Sequence, residues 1–546
     1  MLLNFSLSLC RALHFDRGWF HLRATAVSTA TVLGTYGWSL LVEREAGLHV
    51  DSVVQAVVIA SSLGRVQRAF DRTDRLIACV VLPCAAAGGT ELSTLIQHHP
   101  DPGDALFTLG VAGSLWVRRF GTRAVRAGTL VVLPLVAVLV VPGGIAPAGG
   151  HERTGWAAVT ALFALAWGSA VTWAACRAGV VRRPPSVTVA AMPGTNRPGI
   201  AASTRMACQA ATALAAAFAV GRALWPDHWP WVVLTAFLVA SGARSRGDVL
   251  VKGVWRTVGA SAGTVVAGVV AGSFGPRSDT VVVVIFAVLA VATWLRELSY
   301  AYWAGCVTAV LSLLYDWFGQ SSGSLLHTRL AGIAVGAVLG ISASWLVLPV
   351  RTSATVRSRT AAALAGLGEL LTADGHDVRA VRTARARFAH RVDQLTLAAA
   401  PLKVLEQVPA PRRVAALWGR PLEGLLPPAA LRRCAAPADA LASATLRAPD
   451  ALAADAATVR HRSDVAAHAL AVRRAIGRRP APEPAPGQPP LTPAEGPHPA
   501  ETVTVRAALD AIDAQLDVLT ELFGTPPNAP AGPTADTTTP TTEAAR

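Results

Sequence analysis

The residues of this sequence best suited to chemistry are cations placed where cations are costly. Arg65, Arg244, Lys252 and Arg256 sit in or beside short polar connectors between apolar runs, and Arg153 and Arg329 each open a further run. A guanidinium presents a planar fork of N–H donors that matches a carboxylate or phosphate, and an ammonium is a compact point charge for the same partners. The chemistry in reach is the capture and passage of anions. Arg65, Arg244, Lys252 and Arg256, with Arg75, could concentrate an anion at one face of a membrane. The His151/Arg153 and His327/Arg329 pairs could flank an exit path at the other face. Each group also has a plainer use. The first set can fix topology and meet anionic headgroups, and the second can snorkel to the opposite headgroup layer.

Bond-making chemistry finds little support. Gly259-Ala-Ser261-Ala-Gly263 has the letters of a nucleophile elbow, but it lies in an apolar helical run rather than at a strand-to-helix turn. His461 and His468 share a polar helical stretch without a third metal ligand, and no G-x-x-x-x-G-K-[ST] phosphate loop occurs. The seven cysteines are scattered, with no C-x-x-C pair. The expectation is no enzyme activity, no metal and no cofactor. No Asp or Glu lies mid-span in any candidate span, so the usual proton-coupling groups are not legible.

The elements that must position the cations are membrane spans. Of 546 residues, 52% are hydrophobic and 15% charged, against roughly 25% charged in soluble domains. The net charge of +15 is not gathered on one soluble face with interleaved aromatics, so nucleic acid is not an expected partner. Membrane lipids and a small organic anion are, and self-association stays open. Apolar runs of span length fall at 22–42, 50–64, 76–97, 104–117, 127–148 and 155–176, then at 206–225, 229–242, 257–274, 280–295, 298–315 and 329–350. Three of them, 50–64, 104–117 and 229–242, are short enough to be re-entrant or interfacial, which leaves about ten to twelve crossings.

Arg65, Arg68, Arg72 and Arg75 fill one connector, Arg118, Arg119, Arg123 and Arg126 another, and Arg244, Arg246, Lys252 and Arg256 a third, while the alternate connectors are nearly bare. The positive-inside rule then places both termini in the cytoplasm of a multi-pass plasma-membrane protein. The start, Met1–Cys10, lacks a basic n-region and a cleavage site, so the first span is expected to serve as its own insertion signal.

The two sets of runs look like copies. His49, Val53, Val54, Ser62 and Arg65 fall on His228, Val232, Val233, Ser241 and Arg244 at one constant offset, and His151-Glu-Arg153 falls on His327-Thr-Arg329 at a slightly smaller one. The fold class is therefore all-α, a polytopic membrane protein of two six-helix repeats with a parallel relation, followed by a cytoplasmic helical domain. The divisions are 1–21 (N-terminus), 22–178 (first block), 179–204 (linker), 205–350 (second block), 351–477 (helical domain), 478–500 (Pro-rich linker), 501–524 (amphipathic helix) and 525–546 (disordered tail).

Gly259-x-x-x-Gly263, Gly268-x-x-x-Gly272 and Gly332-x-x-x-Gly336-x-x-x-Gly340 line helix faces that admit a neighbouring backbone. Trp225, Trp229, Trp231, Trp255, Trp303 and Trp317 read as interfacial anchors. In the tail, Val505, Leu509, Ile512, Leu516, Leu519 and Phe523 make a heptad seam. It can fold back on the arginine-rich helices before the linker or pair between protomers.

The stretch His228-Trp-Pro-Trp-Val-Val-Leu-Thr, the basic loop after it, and Trp255-Arg256-Thr-Val-Gly259-Ala-Ser-Ala-Gly263-Thr resemble the fusaric acid resistance protein-like family of membrane transporters. The likeness covers mainly 206–350, with Gly259-Ala standing where the family often has Gly-Thr. It implies a six-plus-six plan, efflux of small organic anions of the aromatic carboxylate kind, and a role for Arg256, which matches the family's arginine. A non-transporting scaffold with a partner-recruiting tail, or an anion channel, is the alternative.

Overall fold

The computed structural model describes residues 19–46, 50–140, 151–181, 200–241, 245–271, 277–296, 298–319, 323–349, 352–407, 426–477 and 500–523. Arg244, the N-terminus, most of the linker before the second block, the Pro-rich linker and the C-terminal tail lie outside them. The chain divides into two compact units, Met1–Thr352 and Ser353–Arg546.

In the first unit the described helices are α1 (Phe20–Ala46), α2 (Val50–Val66), α3 (Arg72–His98), α4 (Pro100–Trp116), α5 (Thr122–Val140), α6 (His151–Arg177), α7 (Ala202–Leu224), α8 (Trp229–Ala240), α9 (Arg246–Ala271), α10 (Asp279–Leu295), α11 (Tyr300–Trp317) and α12 (Gly323–Leu346). No strand occurs among the described residues, and the fold is that of an all-α polytopic membrane protein. Among the described residues five stretches (72–98, 122–140, 153–177, 202–224 and 326–346) are long and apolar enough to cross a bilayer alone. The other long helices carry polar stripes that turn inward. On α1 the buried hydroxyls of Thr31 and Thr35 donate to the Val27 and Thr31 carbonyls one turn back, so neither of the two is left bare in an apolar setting.

Most helices begin earlier than hydropathy alone indicates. The first turn of α3 includes Arg72 and Arg75, because Asp71 caps it and trades hydrogen bonds with Asp74 in a capping box. Helix α9 starts at Arg246, and α12 at Gly323. Helical hydrogen bonding thus runs through the charged flanks, where hydropathy counts only the apolar middle. Lys252 and Arg256 consequently stand inside a helix rather than in a connector, and Arg329 is well inside α12 rather than at its opening.

The same helix pairs pack in both halves of this unit. Helices α1–α2, α1–α6, α2–α6, α3–α5, α3–α6 and α4–α5 touch in the first, and α7–α8, α7–α12, α8–α12, α9–α11, α9–α12 and α10–α11 in the second. The halves meet through α4–α7 and α1–α10, which exchange places under the same correspondence, and through a smaller α5–α8 contact. The halves also differ, since α2–α5 and α3–α4 contacts are prominent in the first only.

The second unit comprises α13 (Thr352–Leu371), α14 (Val378–Gln407), α15 (Leu426–Arg433), α16 (Ala435–Arg447), α17 (Pro449–Ala454), α18 (Ala456–Ile476) and α19 (Ala500–Phe523). The seam of α19 is covered within the chain, against α15, α16 and α18, and Leu509, Ile512, Leu516 and Leu519 are fully buried. Its polar flank is matched as well. Arg506 donates to Asp455 at 2.8 Å, and the His468 ring meets Asp513 at 2.7 Å.

Cys434 lies in the core that α19 closes, and burial pushes its thiol up to about 12. Its alkylation near neutral pH therefore requires opening of the unit. Leu516→Ala should lower the stability of this unit by about 2–5 kcal/mol, and an alkylation time course should show Cys434 reacting correspondingly faster.

On the surface, exposed His376 is bracketed by Asp450 at 2.9 Å and Asp374 at 3.2 Å, whose hydrogen bonds, Asp450 first, raise its pKa. The stabilisation is complete below the ordinary histidine pKa and is lost as pH rises through the raised one. Asp450→Asn should move the His376 titration midpoint down, as read by NMR of labelled histidine.

Candidate functional site

Helix α11 lies between two buried arginines. Arg256, from α9, is 2% exposed, and its Nη1 donates to the Ala304 carbonyl at 3.4 Å and the Thr308 hydroxyl at 3.3 Å. Arg329, from α12, is 8% exposed, and its Nη1 donates to the Ser312 hydroxyl. Thr308 donates to the Ala304 carbonyl at 2.8 Å, and Ser312 to the Thr308 carbonyl at 3.0 Å. Ala304, Thr308 and Ser312 are four residues apart, so they form one line along α11 over about 12 Å at 1.5 Å per residue. A continuous polar stripe therefore joins the two guanidinium groups within the membrane-spanning unit.

Glycine makes the approach possible. A Cβ built on Gly259 would land on the Ala301 carbonyl oxygen, and one on Gly263 on the Gly305 carbonyl oxygen. Only hydrogen side chains let α9 and α11 come this close, and that closeness brings the Arg256 fork to the Ala304 carbonyl. Gly336 and Gly340 do the same for α12 against Val232, Thr235 and Val239 of α8, whereas Gly332 sits at ordinary contact distance. Gly268 has open space around it, so no neighbouring backbone approaches there, and Gly272 lies outside the described residues.

The two arginines are compensated unequally. The Arg329 guanidinium carbon lies 4.7 Å from the Trp231 ring centre and 5.1 Å from that of Tyr315. Trp231 in turn packs against Tyr315 and His228 at 5.6 and 4.6 Å. A desolvated cation–π contact stabilises by about 2 kcal/mol, so Arg329 is largely housed. It is not a snorkelling residue, and Trp231, 6% exposed, is part of this cage rather than an interfacial anchor.

Arg256 has only long hydrogen bonds to neutral oxygens, and its buried Nε has no partner. Interhelical hydrogen bonds in membranes contribute roughly 0.6–1.7 kcal/mol, while the desolvation of a cation costs several kcal/mol. Among the described residues neither arginine meets a carboxylate. The contrast with Arg126, paired with Asp74, and Arg222, whose Nε and Nη2 donate to Asp104 at 2.6 and 2.7 Å, is direct.

The other residues singled out by sequence separate into different settings. Lys252, one turn before Arg256 on α9, donates to the Ser241 carbonyl at 2.6 Å and lies 5.6 Å from the Tyr300 ring centre. Arg153 is half-buried in the first turn of α6, beside Thr154, whose hydroxyl donates to Glu91 at 2.5 Å. Arg65 belongs to α2, with its side chain outside the described residues, as is the whole of Arg244. The structure thus brings Lys252, Arg256 and Arg329 to one region of the second half.

Thr308 and Ser312 escaped the sequence reading, although hydroxyls four apart in an apolar run are a legible signal. Gln209 also escaped it. Its amide reaches the Val347 and Leu348 carbonyls at 2.9 and 3.1 Å and closes the end of α12.

The model of the Fusaric acid resistance protein-like family matches residues 187–343, which contain α7 to α11 and nearly all of α12. Those residues are similar to that family. The family is one of membrane transporters rather than enzymes. No curated protein matches the chain. Arg256, Arg329 and the α11 stripe all fall within the family region, and the polar residues that single out the site come from no other part.

Gly263→Ala should force α9 off α11 and lower the melting temperature of the detergent-solubilised protein. Gly268→Ala on the same helix, with nothing near its added Cβ, should leave it unchanged. Equal effects would mean that the seam is not close-packed.

Proposed function

We propose that the chain is a plasma-membrane exporter of small organic anions, of which aromatic carboxylates are one kind, with both termini cytoplasmic. The observation that carries the reading is Arg256, a buried guanidinium with an unpartnered Nε and no carboxylate, at one end of the α11 stripe. An uncompensated cation at membrane depth is stabilised by an anion that can come and go. Thr308 and Ser312 offer hydroxyls along the way to Arg329, whose aromatic cage keeps a second positive charge in place without a permanent counter-ion.

Both arginines are covered in the state described. Passage therefore requires α11 to part from α9 on one side and from α12 on the other, and the glycine seam gives α9 a smooth face on which to do so. A duplicated unit of six helices, supported by the shared packing pairs, supplies the two bodies that alternate about such a path. Lys252 is the entry-side cation in this reading, and the carboxylate of the cargo would form a fork-to-fork pair with Arg256.

The test is transport of a panel of radiolabelled carboxylates in inverted membrane vesicles, with a deletion strain's susceptibility to the same acids as the cellular readout. Arg256→Ala should reduce uptake about 100-fold or more, as expected for losing a charge-assisted pair of roughly 3 kcal/mol. Arg256→Lys should recover part of it. Unchanged transport and tolerance across the panel in Arg256→Ala would overturn the reading and favour a scaffold.

A further inference from the structure

The seam between α1 and α10 holds a crevice of about 530 Å³, within the roughly 300–1,000 Å³ range of ligand sites. Its walls are Leu33 from α1 and Val282, Val283, Phe286 and Ala287 from α10. Tyr36 also lines it, with its ring centre 4.7 Å from that of Phe286. Leu33 and Val283 are 45% and 67% exposed, and in a membrane-spanning unit such exposure faces lipid.

The corresponding seam on the other side of the unit, α4 against α7, is closed. There Asp104 on α4 receives both donors of Arg222 on α7, Arg222 lies over Trp229, and Phe107 packs on Phe218. The offset that carries His49 onto His228 carries Glu43 onto Arg222. At the α1–α10 seam an acid therefore replaces the cation, while the facing helix again contributes an acid, Asp279, the first residue of α10. Tyr36 and Asp279 both line the crevice.

Among the described residues Asp279 has no basic partner, and Arg277 stands exposed two residues before it, at the N-terminal end of α10. An amine would take the place that Arg222 fills across the molecule. A phosphate would suit Arg277 and the N-terminal N–H groups of the helix, and an acyl chain would suit the apolar walls. The geometry points to an amine-headed phospholipid as the resident of the α1–α10 crevice. Its ammonium lies at Asp279, its phosphate at Arg277, and one chain along Leu33, Val283 and Phe286. This inference is independent of the anion path, which lies on α9, α11 and α12.

The test uses full-length protein in nanodiscs that contain phospholipid probes with a photoactivatable acyl chain, one with an ethanolamine head and one with a glycerol head. Peptide mapping should place the ethanolamine probe on the segments around Leu33 and Val283, labelling them about tenfold more than the glycerol probe, the ratio one charge-assisted hydrogen bond sustains. Asp279→Asn should bring the two probes to the same level. Val283→Trp, which fills the crevice, should remove both labels while anion transport persists. Equal labelling by the two heads in the unaltered protein, labelling indifferent to Asp279→Asn, or crosslinks joining two copies at Leu33 would each overturn the proposal.

Discussion

A guanidinium taken out of water without a carboxylate is the constraint around which the membrane unit is arranged. Several kcal/mol of desolvation stand against each such ion, and lipid offers no relief. The fold meets the demand in two ways. Arg329 is surrounded by aromatic faces, a fixed and neutral compensation. Arg256 is given two distant neutral oxygens and nothing at Nε, which leaves most of the demand open. A structural arginine needs no such deficit, as Arg126 with Asp74 and Arg222 with Asp104 show within the same unit. The unmet portion is what a mobile anion can supply.

The close α9–α11 seam and the charged site arise from the same residues. Gly259 and Gly263 allow backbone contact with α11, and Arg256 lies on the same helix less than one turn before Gly259. With larger side chains at those glycines, the guanidinium would stand farther from the Ala304 carbonyl. The glycine pattern and the arginine are then parts of one device, and packed seams do not by themselves argue for a passive scaffold.

Much of the architecture was legible from charge and hydropathy, because apolar runs of span length and arginine-bearing connectors are strong local signals. Charged helix ends were not. Where Asp71 caps α3 or Gly323 begins α12, helical hydrogen bonds extend past the apolar stretch, and Arg329 moves from an expected opening to a position inside the helix. The site was half legible. Arg256 and Arg329 stand out as costly cations, but their meeting on α11 depends on which helices are neighbours, and neither composition nor spacing encodes that. The Arg222–Asp104 pair was invisible for the same reason, since its members lie far apart in the chain and each resembles an ordinary helix-end charge. The fold-back of α19 was one of two readings that its heptad seam allowed. Arg506 finds Asp455, and the acids Asp510 and Asp513 find the histidines of α18, in register, which pairing with a second copy would have to reproduce.

The two halves share packing pairs yet differ in chemistry. At the offset that aligns His49 with His228, Arg256 corresponds to Ile77 and Ser312 to Leu133. The first half thus keeps the helical frame without the unneutralised guanidinium or the stripe's outer hydroxyl, and its buried acid, Asp74, is neutralised by Arg126. The second half, which carries the family match, retains the open charge. Two similarly packed bundles can differ in this way because the packing that holds the helices together depends on small and apolar residues at the seams. The polar positions along α9 and α11 are then free to diverge without unmaking the bundle.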